Sequence, residues 1–541
     1  MQTKYVVVLG SLMSGLGKGV VTSSILKLLD FYGYKVFPVK FDGYLNYDCG
    51  TMNPYQHGEV FVLDDKSEVD MDFGIYERFL NKSLTGDLSI TGGKLFSTIT
   101  SKERQGEYLG EDIQIIPHLT NDIIKRIEGI SEAKRPDVLV IEVGGTVGDI
   151  ENSYFIEAMR QLSLKHDVVF VNLTYVHDLK LTGEQKTKPA QIGLRLLLQD
   201  GIRPNFLICR ASSKLLESTK EKLAMFANLN KERVIDDSDL LTLYSLPLQF
   251  MKQDFDRLLI KDLGLAPRSP DRKKISAWKM KVDRIISPKR EATIAVVGKY
   301  TSMRDAYASV KEALVHSGAE ADSKINIKWV ESTDFESRLP DFSAFRDVDG
   351  VIVTGGFGTR GIEGMVNIIR HSRENGLPYL GLCLGMQLMA VEFARNVCGL
   401  RGANSSEFDK GAKYKIIDLL PSQRKIDKMG GTMRLGSQEC DVVDKDTITY
   451  RSYKSMAIRE RHRHRYEFNN KFKKTLMAKG LKVAAVNRQF NLVEFIEWPV
   501  GFGVATQSHP ELKSRLETPS PLFVSLVEAA VSHHERKDLK R

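Results

Sequence analysis

The sequence predicts an α/β protein of two domains, each built around a mainly parallel β-sheet. Three observations lead to this prediction. Short apolar segments alternate with longer amphipathic ones, a stretch rich in proline and charge interrupts that alternation, and a glycine-rich turn follows the first apolar segment. The chain has 541 residues, 42% of them hydrophobic, which is enough for more than one buried core.

The first half of the chain predicts a parallel sheet. Strands are expected at 5–9, 35–40, 138–143, 168–174 and 205–209, with a helix at about 18–32. The strands are continuous runs of apolar residues, such as Val138-Leu139-Val140-Ile141, with no polar residue at every second position. Such runs are typical of strands that helices cover on both faces. Residues 1–265 are therefore predicted to form the first domain.

A linker is predicted at 266–291, because this stretch is rich in proline and charge and shows no stripe of core residues. The alternating pattern then restarts, with strands expected at Thr293–Val297, Val351–Val353 and Tyr379–Leu382. Residues 292–541 are therefore predicted to form a second α/β domain.

Composition argues against several classes of protein. The longest apolar runs are far shorter than the ~20 residues of a membrane helix, so no membrane partner is expected. The N-terminus lacks the features of a signal peptide, which favours a cytoplasmic location. Five scattered cysteines indicate neither disulfides nor a zinc site. The net charge of +9 comes with no recognised nucleic-acid-binding module, so no nucleic-acid partner is expected.

A phosphate-binding loop is predicted at Gly10–Gly19, between the first strand and the first helix. Its glycines let backbone N–H groups point at phosphate oxygens, the helix N-terminus favours an anion, and Lys18 adds a mobile charge. Gly19 stands where the common form of this loop has a Ser or Thr that holds magnesium. Metal ligands are therefore expected elsewhere, and Asp70-Met71-Asp72 and Glu142 are candidates because Mg²⁺ prefers one or two carboxylates plus phosphates.

Two further polar segments suit the same site on chemical grounds. Gly183–Gln191 offers two cations and amides that fit a second triphosphate, and Gly144–Glu151 offers acceptors for a base or a ribose. For either segment taken alone, a capped surface turn is the preferred interpretation.

A nucleophilic thiol is predicted at Cys383. This residue lies between a predicted strand and a predicted helix, and its glycine neighbours tolerate the sharp turn that exposes a nucleophile. His509 is the candidate base, with Glu511 orienting its imidazole. Backbone N–H groups of Gly355–Gly358 could hold the oxyanion of a tetrahedral intermediate. The combination predicts covalent hydrolysis through a thiol.

These motifs resemble those of the CTP synthase family, and the resemblance covers nearly the whole chain. It rests on long segments in family order: Ser14–Gly19, Gly50–Met52, Gln56–Val62, Tyr76–Phe79, Glu142–Glu151, Thr182–Gln191, Gly381–Gln387, Gly430–Gly436 and Arg461–Glu467. It implies a P-loop-like, parallel-sheet amidoligase domain followed by a class I glutaminase domain. In that family, ATP phosphorylates the 4-oxygen of UTP, and ammonia released from glutamine displaces the phosphate to give CTP.

The resemblance also implies which ligand each residue binds. Lys18 would neutralise the transferred phosphoryl group, and Asp72 and Glu142 would hold Mg²⁺. The implied ATP-binding residues are Gly15, Leu16, Gly17, Lys18, Gly19, Val20, Lys40, Asp72, Arg210, Ser238, Asp239 and Leu240. The implied UTP- and CTP-binding residues are Ser14, Asp149, Ile150, Glu151, Lys186, Thr187, Lys188, Pro189, Ala190, Gln191 and Lys222. The implied glutamine-binding residues are Gly356, Leu384, Gly385, Met386, Gln387, Glu407 and Arg465.

The family further implies GTP as an allosteric activator, with Gly430–Gly436 in the lid that responds, and a homotetramer that could also form filaments. We expect an enclosed passage for ammonia, because free ammonia would be protonated and diluted in water. His57 is a candidate lining residue of that passage. Ser508, which precedes His509, departs from an aromatic position common in the family and could loosen the packing around the base.

Two other interpretations stay open at this point. A glutamine-dependent amidoligase that acts on a carboxylate, such as a cobyrinate-type amidase, has the same layout, but it gives no reason for the cations of Lys186–Gln191. A scaffold that has lost its chemistry and forms filaments is the second interpretation. It does not explain why the candidate catalytic side chains are intact.

Overall fold

The computed structural model describes residues 2–179, 183–299, 301, 303–356, 358–419 and 433–539. The chain packs into two units. The first comprises the described residues up to Cys49 together with Asp72–Val282, and the second comprises Gly50–Met71 together with the described residues from Asp283 onward. Residues 50–71, which the sequence assigns to the first domain, therefore pack with the second unit.

The strands of the described chain are β1 (Lys4–Gly10), β2 (Val36–Asp42), β3 (Phe61–Val62), β4 (Glu68–Val69), β5 (Ser89–Thr91), β6 (Val138–Val143), β7 (Val168–Tyr175), β8 (His177–Leu179), β9 (Glu184–Lys186), β10 (Phe206–Ala211), β11 (Val234–Ser238), β12 (Arg290–Gly298), β13 (Ser323–Glu331), β14 (Gly350–Val353), β15 (Tyr379–Leu382), β16 (Ala403–Ser405), β17 (Tyr414–Leu419), β18 (Arg434–Val442), β19 (Ala457–His464), β20 (Tyr466–Phe468), β21 (Lys482–Asn487), β22 (Leu492–Glu497) and β23 (Gly503–Thr506).

The α-helices of the described chain are α1 (Lys18–Phe31), α2 (Pro54–His57), α3 (Asp72–Leu80), α4 (Gly92–Arg104), α5 (Thr120–Lys134), α6 (Ser153–Leu162), α7 (Lys188–Gln199), α8 (Glu217–Ala227), α9 (Leu246–Met251), α10 (Phe255–Asp262), α11 (Arg272–Ile286), α12 (Ala308–Glu320), α13 (Ile362–Glu374), α14 (Leu384–Asn396), α15 (Ile448–Tyr453), α16 (Lys473–Ala478) and α17 (Pro521–Asp538). Among the described residues, none of these helices has the length and apolar character needed to cross a membrane.

The first unit is built on a seven-stranded sheet in the order β11-β10-β7-β1-β6-β2-β5. All neighbouring strands in it are parallel. The strands β1 and β6 are buried along nearly their whole length, because their Val, Ile and Leu side chains are covered on both faces. The carboxyl ends of β1, β6 and β7 meet at one edge, which is where α/β sheets bind ligands.

The second unit is built on a nine-stranded sheet in the order β13-β12-β14-β15-β23-β22-β21-β18-β19. The strands from β13 to β23 are parallel, and those from β22 to β19 are antiparallel. A three-stranded sheet, β16-β17-β20, accompanies it. Both units are therefore α/β, as the sequence predicts, and each strand expected from the sequence is present within three residues at either end.

The stretch predicted as a linker contains the 15-residue helix α11. Trp278 and Val282, four residues apart, are its buried side chains. The indole N–H of Trp278 donates to the Tyr244 carbonyl oxygen over 2.8 Å, and its ring packs edge-on against Phe31. The expectation that this stretch contains no stripe of core residues is wrong. Trp278 and Val282 form such a stripe at helical spacing, but it is difficult to recognise in the sequence because most neighbouring residues are charged.

Candidate functional site

The predicted phosphate-binding loop connects β1 to α1 in the first unit. Gly15 and Gly17 have φ angles of 76° and 92°, a region that side chains with a Cβ rarely adopt. Gly17 is the N-cap of α1, so the free N–H groups of the first helical turn follow the loop directly. The N–H of Val147 donates to the Gly10 carbonyl oxygen over 2.8 Å, which joins the ends of β1 and β6. The loop can therefore receive an anion at the helix N-terminus.

Lys18 lies across this edge of the sheet. Its Nζ donates to the carbonyl oxygen of Gly145 over 2.5 Å. Its side chain covers Gly10, where an added Cβ would be 2.9 Å from the Lys18 Cδ, so glycine at position 10 leaves room for the lysine. Burial lowers the pKa of Lys18, and the nearby carboxylates oppose that shift. An anionic phosphate would restore the favourable surroundings of this ammonium group.

Gly19 is next to Asp72 at the start of α3. A Cβ added to Gly19 would collide with the Asp72 Oδ1, so a Ser or Thr could not occupy position 19 without moving that carboxylate. The space in which the usual hydroxyl would lie is thus occupied by a carboxylate oxygen. This contact gives a physical reason for the departure from the common loop sequence.

Lys40 is surrounded by three carboxylates. Its Nζ contacts Asp72, lies 3.0 Å from Glu142 Oε1, and is 3.7 Å from Asp42 Oδ1. Burial alone would lower the pKa of Lys40, but the carboxylates raise it well above its usual value. Burial raises the pKa of Asp42, and Lys40 opposes that shift. Lys40 thus faces three acidic side chains, and even with Lys18 as a second cation near them the group carries excess negative charge.

That excess charge fits a divalent cation with oxygen ligands. Asp72 turns one oxygen to Lys40 and the other toward Gly19 of the phosphate loop. Glu142 accepts from Lys40 and, through Oε2, from the Tyr76 hydroxyl over 2.5 Å. Within the described ranges, no three His, Cys, Asp or Glu side chains are arranged as a metal site. A metal here would therefore depend on one or two carboxylates together with phosphate and water oxygens.

The residues expected at the nucleotide base lie further along the same edge. Arg210 pairs with Asp237 Oδ1 over 3.2 Å and with Asp239 Oδ1 over 2.6 Å. Ser238 and Leu240 are half-buried beside this pair, at the end of β11. Arg210 thus ties the carboxyl ends of β10 and β11 together.

The residues expected to bind UTP lie on the phosphate loop, on two further segments and on helix α8. Asp149 Oδ2 accepts from the Thr146 N–H over 2.9 Å, and Ile150 and Glu151 are exposed. The segment Lys186–Gln191 leads into α7, whose Gly193 packs against Ser11 of the phosphate loop. Lys222 is exposed on α8. Ser14 is exposed on the phosphate loop, and Thr182 lies outside the described residues.

In the second unit, Cys383 lies at a sharp turn between β15 and α14. Its backbone has φ 51° and ψ −98°, a strained conformation for a residue with a Cβ, and Cys383 is the N-cap of α14. A Cβ on Gly381 would be 2.8 Å from the Gly385 carbonyl carbon, and one on Gly385 would collide with the Val353 carbonyl oxygen. Both glycines are therefore required by close packing around the thiol.

His509 hydrogen-bonds to both of its expected partners. Its Nδ1 lies 2.7 Å from Glu511 Oε1, and it hydrogen-bonds to the thiol of Cys383. Burial alone would lower the pKa of His509, but Glu511 and Cys383 raise it well above the usual value. The three side chains therefore form a connected thiol–imidazole–carboxylate chain, in which the imidazole is held as a cation beside the sulfur.

A cavity of about 490 Å³ opens beside the thiol. Gly356, Glu407 and Arg465, expected to bind glutamine, line it together with Cys383 and His509. Glu407 supplies a negative charge for the ammonium group of an amino acid, and Arg465 supplies a positive charge for its carboxylate. Residues 50–60 also contribute lining, among them Glu59 and Val60, whereas His57 is exposed on α2.

Two amides and the start of α14 surround the sulfur. Gln507 Nε2 lies 3.6 Å from the Cys383 Sγ, and Gln387 Nε2 donates to the Gln507 side-chain oxygen and to the Tyr466 carbonyl oxygen. Leu384, Gly385 and Met386 are buried in the first turn of α14. Of the predicted oxyanion segment, Gly355 lies against the His509 ring, and Phe357 is outside the described residues.

Comparison with known proteins gives a single consistent result. Residues 4–265 match the family described as CTP synthase N-terminus, and residues 302–529 match the family described as glutamine amidotransferase class-I. The chain is 44% identical over 537 residues to a CTP synthase of Methanocaldococcus jannaschii, covering 98% of both proteins. It is 46% identical over 540 residues to a CTP synthase of Thermococcus gammatolerans, covering 99% of both.

The chain belongs to the CTP synthase family. Its class I glutamine amidotransferase region makes it a glutamine-dependent member. Among solved structures, it is similar to the glutaminase domain of Trypanosoma brucei CTPS with bound acivicin, at 36% identity and a TM-score of 0.43, covering 44% of this chain and 94% of that one.

Several residues at these CTP synthase sites are missing from the sequence-based prediction. Asp42 and Tyr76 belong to the group around Lys40, Gln507 lies beside the Cys383 sulfur, and the Lys299 side chain packs against Gly356 of the glutamine cavity. Lys299 Nζ contacts the Gly358 carbonyl oxygen, and burial lowers its pKa to about 8. The position of Asp42 at the end of an apolar run is the signal that could have identified it.

Two further expectations from the family resemblance concern the lid segment Gly430–Gly436 and the residue Ser508. Of the lid segment, Gly430, Gly431 and Thr432 lie outside the described residues, while Arg434 pairs with Glu467 over 2.9 Å and Glu494 over 2.7 Å. Ser508 is buried, and its hydroxyl lies 2.6 Å from that of Thr506. A small polar residue at this position is therefore held by a hydrogen bond.

Proposed function

We propose that this protein converts UTP to CTP, with ATP as the phosphoryl donor and glutamine as the nitrogen source. The observation that carries the proposal is the hydrogen-bonded chain Cys383–His509–Glu511 beside a cavity lined by Glu407 and Arg465. Similarity to CTP synthases along the whole chain supports it, as does the phosphate loop with its lysine in the first unit.

The proposed hydrolysis begins with attack of the Cys383 sulfur on the amide carbon of glutamine. Backbone N–H groups near Gly356 would stabilise the oxyanion that develops. The imidazolium of His509 would give its proton to the departing nitrogen, leaving a thioester and ammonia, and would then accept a proton from the attacking water. Glutamate leaves and the thiol is restored. Glu407 and Arg465 would hold the two charged ends of glutamine.

The proposed synthesis transfers the γ-phosphoryl group of ATP to the 4-oxygen of UTP. Ammonia then attacks carbon 4, and phosphate leaves with the oxygen, which gives CTP. Lys18 would neutralise charge on the transferred group, and the loop N–H groups would orient the phosphates. Asp72 and Glu142 would hold Mg²⁺, which supplies charge stabilisation for the phosphates when bound. Gly15–Val20, Lys40, Arg210 and Ser238–Leu240 would contact ATP.

The remaining assignments are proposals that follow from family membership. UTP and product CTP would bind at Ser14, Asp149–Glu151, Lys186–Gln191 and Lys222, and GTP would activate hydrolysis through the lid. A homotetramer is the proposed assembly. The ammonia passage and a cytoplasmic location also stay predictions.

The test uses Cys383→Ala. We expect this variant to lose glutamine-dependent CTP formation, by at least about a thousandfold, because the nucleophile is gone. Ammonia-dependent CTP formation should remain within about twofold of the unaltered protein. Cys398→Ala is the matched control, since this half-buried thiol is not among the residues that line the cavity. Loss of both activities in a folded Cys383→Ala protein would overturn the proposed separation of the two sites.

A second arm of the same experiment separates the rival amidoligase. Purified protein is incubated with ATP, Mg²⁺ and ammonium, and either UTP or a nonphosphorylated carboxylic acid. Formation of CTP supports the proposal. ATP turnover with the carboxylic acid alone would favour the rival.

A further inference from the structure

The two short strands β8 and β9 form a hairpin that leads directly into the predicted triphosphate segment Lys186–Gln191. Each strand has three residues, and an isolated hairpin of this size is not stable in water. Something outside the hairpin must therefore fix its orientation. Two side chains that face each other across it, Asp178 and Gln185, make that connection.

Asp178 accepts four hydrogen bonds. Its Oδ1 accepts from Gln185 Nε2 over 3.0 Å and from the Ser213 hydroxyl over 2.9 Å. Its Oδ2 accepts from the Ser212 hydroxyl over 2.6 Å and from the Ser213 N–H over 2.9 Å. These donors lower the pKa of Asp178 although burial opposes them, so the side chain is an acceptor-only carboxylate.

Gln185 extends the connection along the same loop. Its Nε2 donates to the Lys214 carbonyl oxygen over 3.1 Å, and its Oε1 accepts from the Leu216 N–H over 2.9 Å. The hairpin is thus bound to every residue from 212 to 216 except Leu215. Leu215 is itself buried in a cluster with Val176 and Ala190.

The loop 212–216 connects β10, which ends near Arg210, to α8, which carries Lys222. Three expected substrate segments therefore meet at Asp178 and Gln185: the phosphate grip at the start of α7, the Arg210 end of β10 and the Lys222 helix. The hydrogen bonds that join these segments are made by the side chains of Asp178 and Gln185, and they are not part of the seven-stranded sheet. Without the two side chains, the start of the hairpin would still be joined to β10 by the Val176 N–H, which donates to the Arg210 carbonyl oxygen over 2.8 Å, but its contact with loop 212–216 would be mainly apolar packing.

We propose that Asp178 and Gln185 are positioning residues that fix the Lys186–Gln191 grip relative to the Arg210 and Lys222 segments, and so set the affinity for UTP. This inference rests on the proposed function. It goes beyond that function by assigning a role to two side chains outside the expected UTP-binding set, both of which lie on short strands that the sequence analysis does not predict.

Asp178→Asn tests the inference with little change in shape. A carboxamide turns an NH₂ group toward donors that the carboxylate accepts from, so at least one hydrogen bond becomes a repulsive donor–donor contact. In ammonia-dependent CTP formation, we expect the KM for UTP to rise about tenfold. We expect the KM for ATP and kcat to change by less than about twofold, because Lys18 and the phosphate loop are not displaced.

Two further variants and a control complete the design. Ser212→Ala removes a single donor and should raise the KM for UTP by a smaller factor, and Gln185→Ala should act in the same direction as Asp178→Asn. Asp254→Asn is the matched control, since Asp254 is 63% exposed, pairs with the exposed Arg257 over 3.0 Å, and has a φ of 55° that Asn tolerates. It should leave both KM values unchanged.

The outcomes distinguish the inference from the function on which it rests. If the unaltered protein forms no CTP from UTP, the proposed function fails. If it does form CTP and the variants melt earlier but keep the KM for UTP, the two residues are merely structural and the inference is wrong. An equal rise in the KM for UTP and for ATP would also overturn it. Should Asp178→Asn fail to fold, Ser212→Ala and Gln185→Ala decide the question by the same criterion.

Discussion

Glu511 controls the charge of His509, and with it the proposed acid–base step. Its Oε1 lies 2.7 Å from His509 Nδ1 and raises the pKa of that imidazole. We expect Glu511→Gln to lower kcat for glutamine hydrolysis by about a hundredfold or more, because the amide neither orients nor charges the ring as the carboxylate does. Glu374→Gln, on a surface carboxylate 45% exposed, is the control and should hydrolyse glutamine normally.

The same variant should change the pH dependence of hydrolysis. In the unaltered protein the raised pKa of His509 keeps the imidazolium present to high pH, and activity that needs this acid is lost as pH rises through that pKa. Removing the Glu511 charge lowers the pKa, so the basic limb of the kcat/KM profile should move to lower pH. A residual activity with an unmoved basic limb would show that His509 is not the titrating group.

Individual site residues differ in how far the sequence identifies them. Cys383 and His509 are predictable because each lies within a motif of fixed spacing. Asp42 and Lys299 are not, since a charged residue after an apolar strand is common and only the fold decides what it faces. Asp72 is intermediate. The sequence makes it a candidate because Asp70 is close by, but only the structure shows that its carboxylate lies against Gly19 and leaves no room for a Cβ there.

The turn between β15 and α14 places the thiol by close packing of backbone against backbone. A Cβ on Gly385 would collide with the Val353 carbonyl oxygen on the neighbouring strand β14. We expect Gly385→Ala to destabilise the second unit by about 1–3 kcal/mol and to lower glutamine hydrolysis, because the helix start must shift away from the strand. Thermal unfolding and glutamine hydrolysis measure the two effects.

Gly129→Ala provides the control for that prediction. Gly129 lies inside α5, has an ordinary φ, and no atom lies within 4 Å of a Cβ built on it. Alanine there should stabilise the protein by up to about 1 kcal/mol and leave both activities unchanged. Wild-type hydrolysis by a Gly385→Ala protein would contradict the argument that this turn fixes the sulfur.

Helices and strands with long apolar runs are the elements that the sequence predicts well, as β1, β6 and β7 illustrate. The hairpin β8–β9 and the helix α11 are not predicted. The hairpin strands have three residues each, too few for any period to appear, and they depend on loop 212–216. In α11 the buried pair Trp278 and Val282 is outnumbered by lysines and arginines that face solvent.

The largest difference from the predicted organisation is residues 50–71, which pack with the second unit although they interrupt the first in sequence. Arg463 pairs with Glu68 over 2.7 Å and donates to the Gly50 carbonyl oxygen over 3.0 Å. The Tyr55 hydroxyl donates to the Lys299 carbonyl oxygen over 3.2 Å. Partners 244 to 413 residues apart leave no local pattern, so no motif or period could have placed this segment.

Arg461 is where that segment approaches the proposed catalytic loop. Its guanidinium is fully buried, bonds to Asp64 Oδ1 over 2.8 Å and donates to the Leu512 carbonyl oxygen over 3.2 Å. Its own carbonyl oxygen accepts from the His509 N–H over 2.7 Å. Removing the Asp64 carboxylate would take this counter-charge away from the buried Arg461 guanidinium, which destabilises the fold. The loop that carries His509 would be affected as well, because the His509 N–H donates to the Arg461 carbonyl oxygen.

A double-mutant cycle on Asp64→Asn and Arg461→Met should therefore show coupling in kcat/KM for glutamine hydrolysis. We expect Asp64→Asn alone to lower kcat/KM about tenfold and the two changes to be non-additive by about 1 kcal/mol or more. The pair Glu439 and Arg459 is the matched control, because its arginine lies on the same strand as Arg461, β19, but the pair is mostly exposed with its charges 4.0 Å apart. Its cycle should give less than about 0.5 kcal/mol. Additive effects at Asp64 and Arg461 would mean that residues 50–71 pack against the glutaminase site without influencing it.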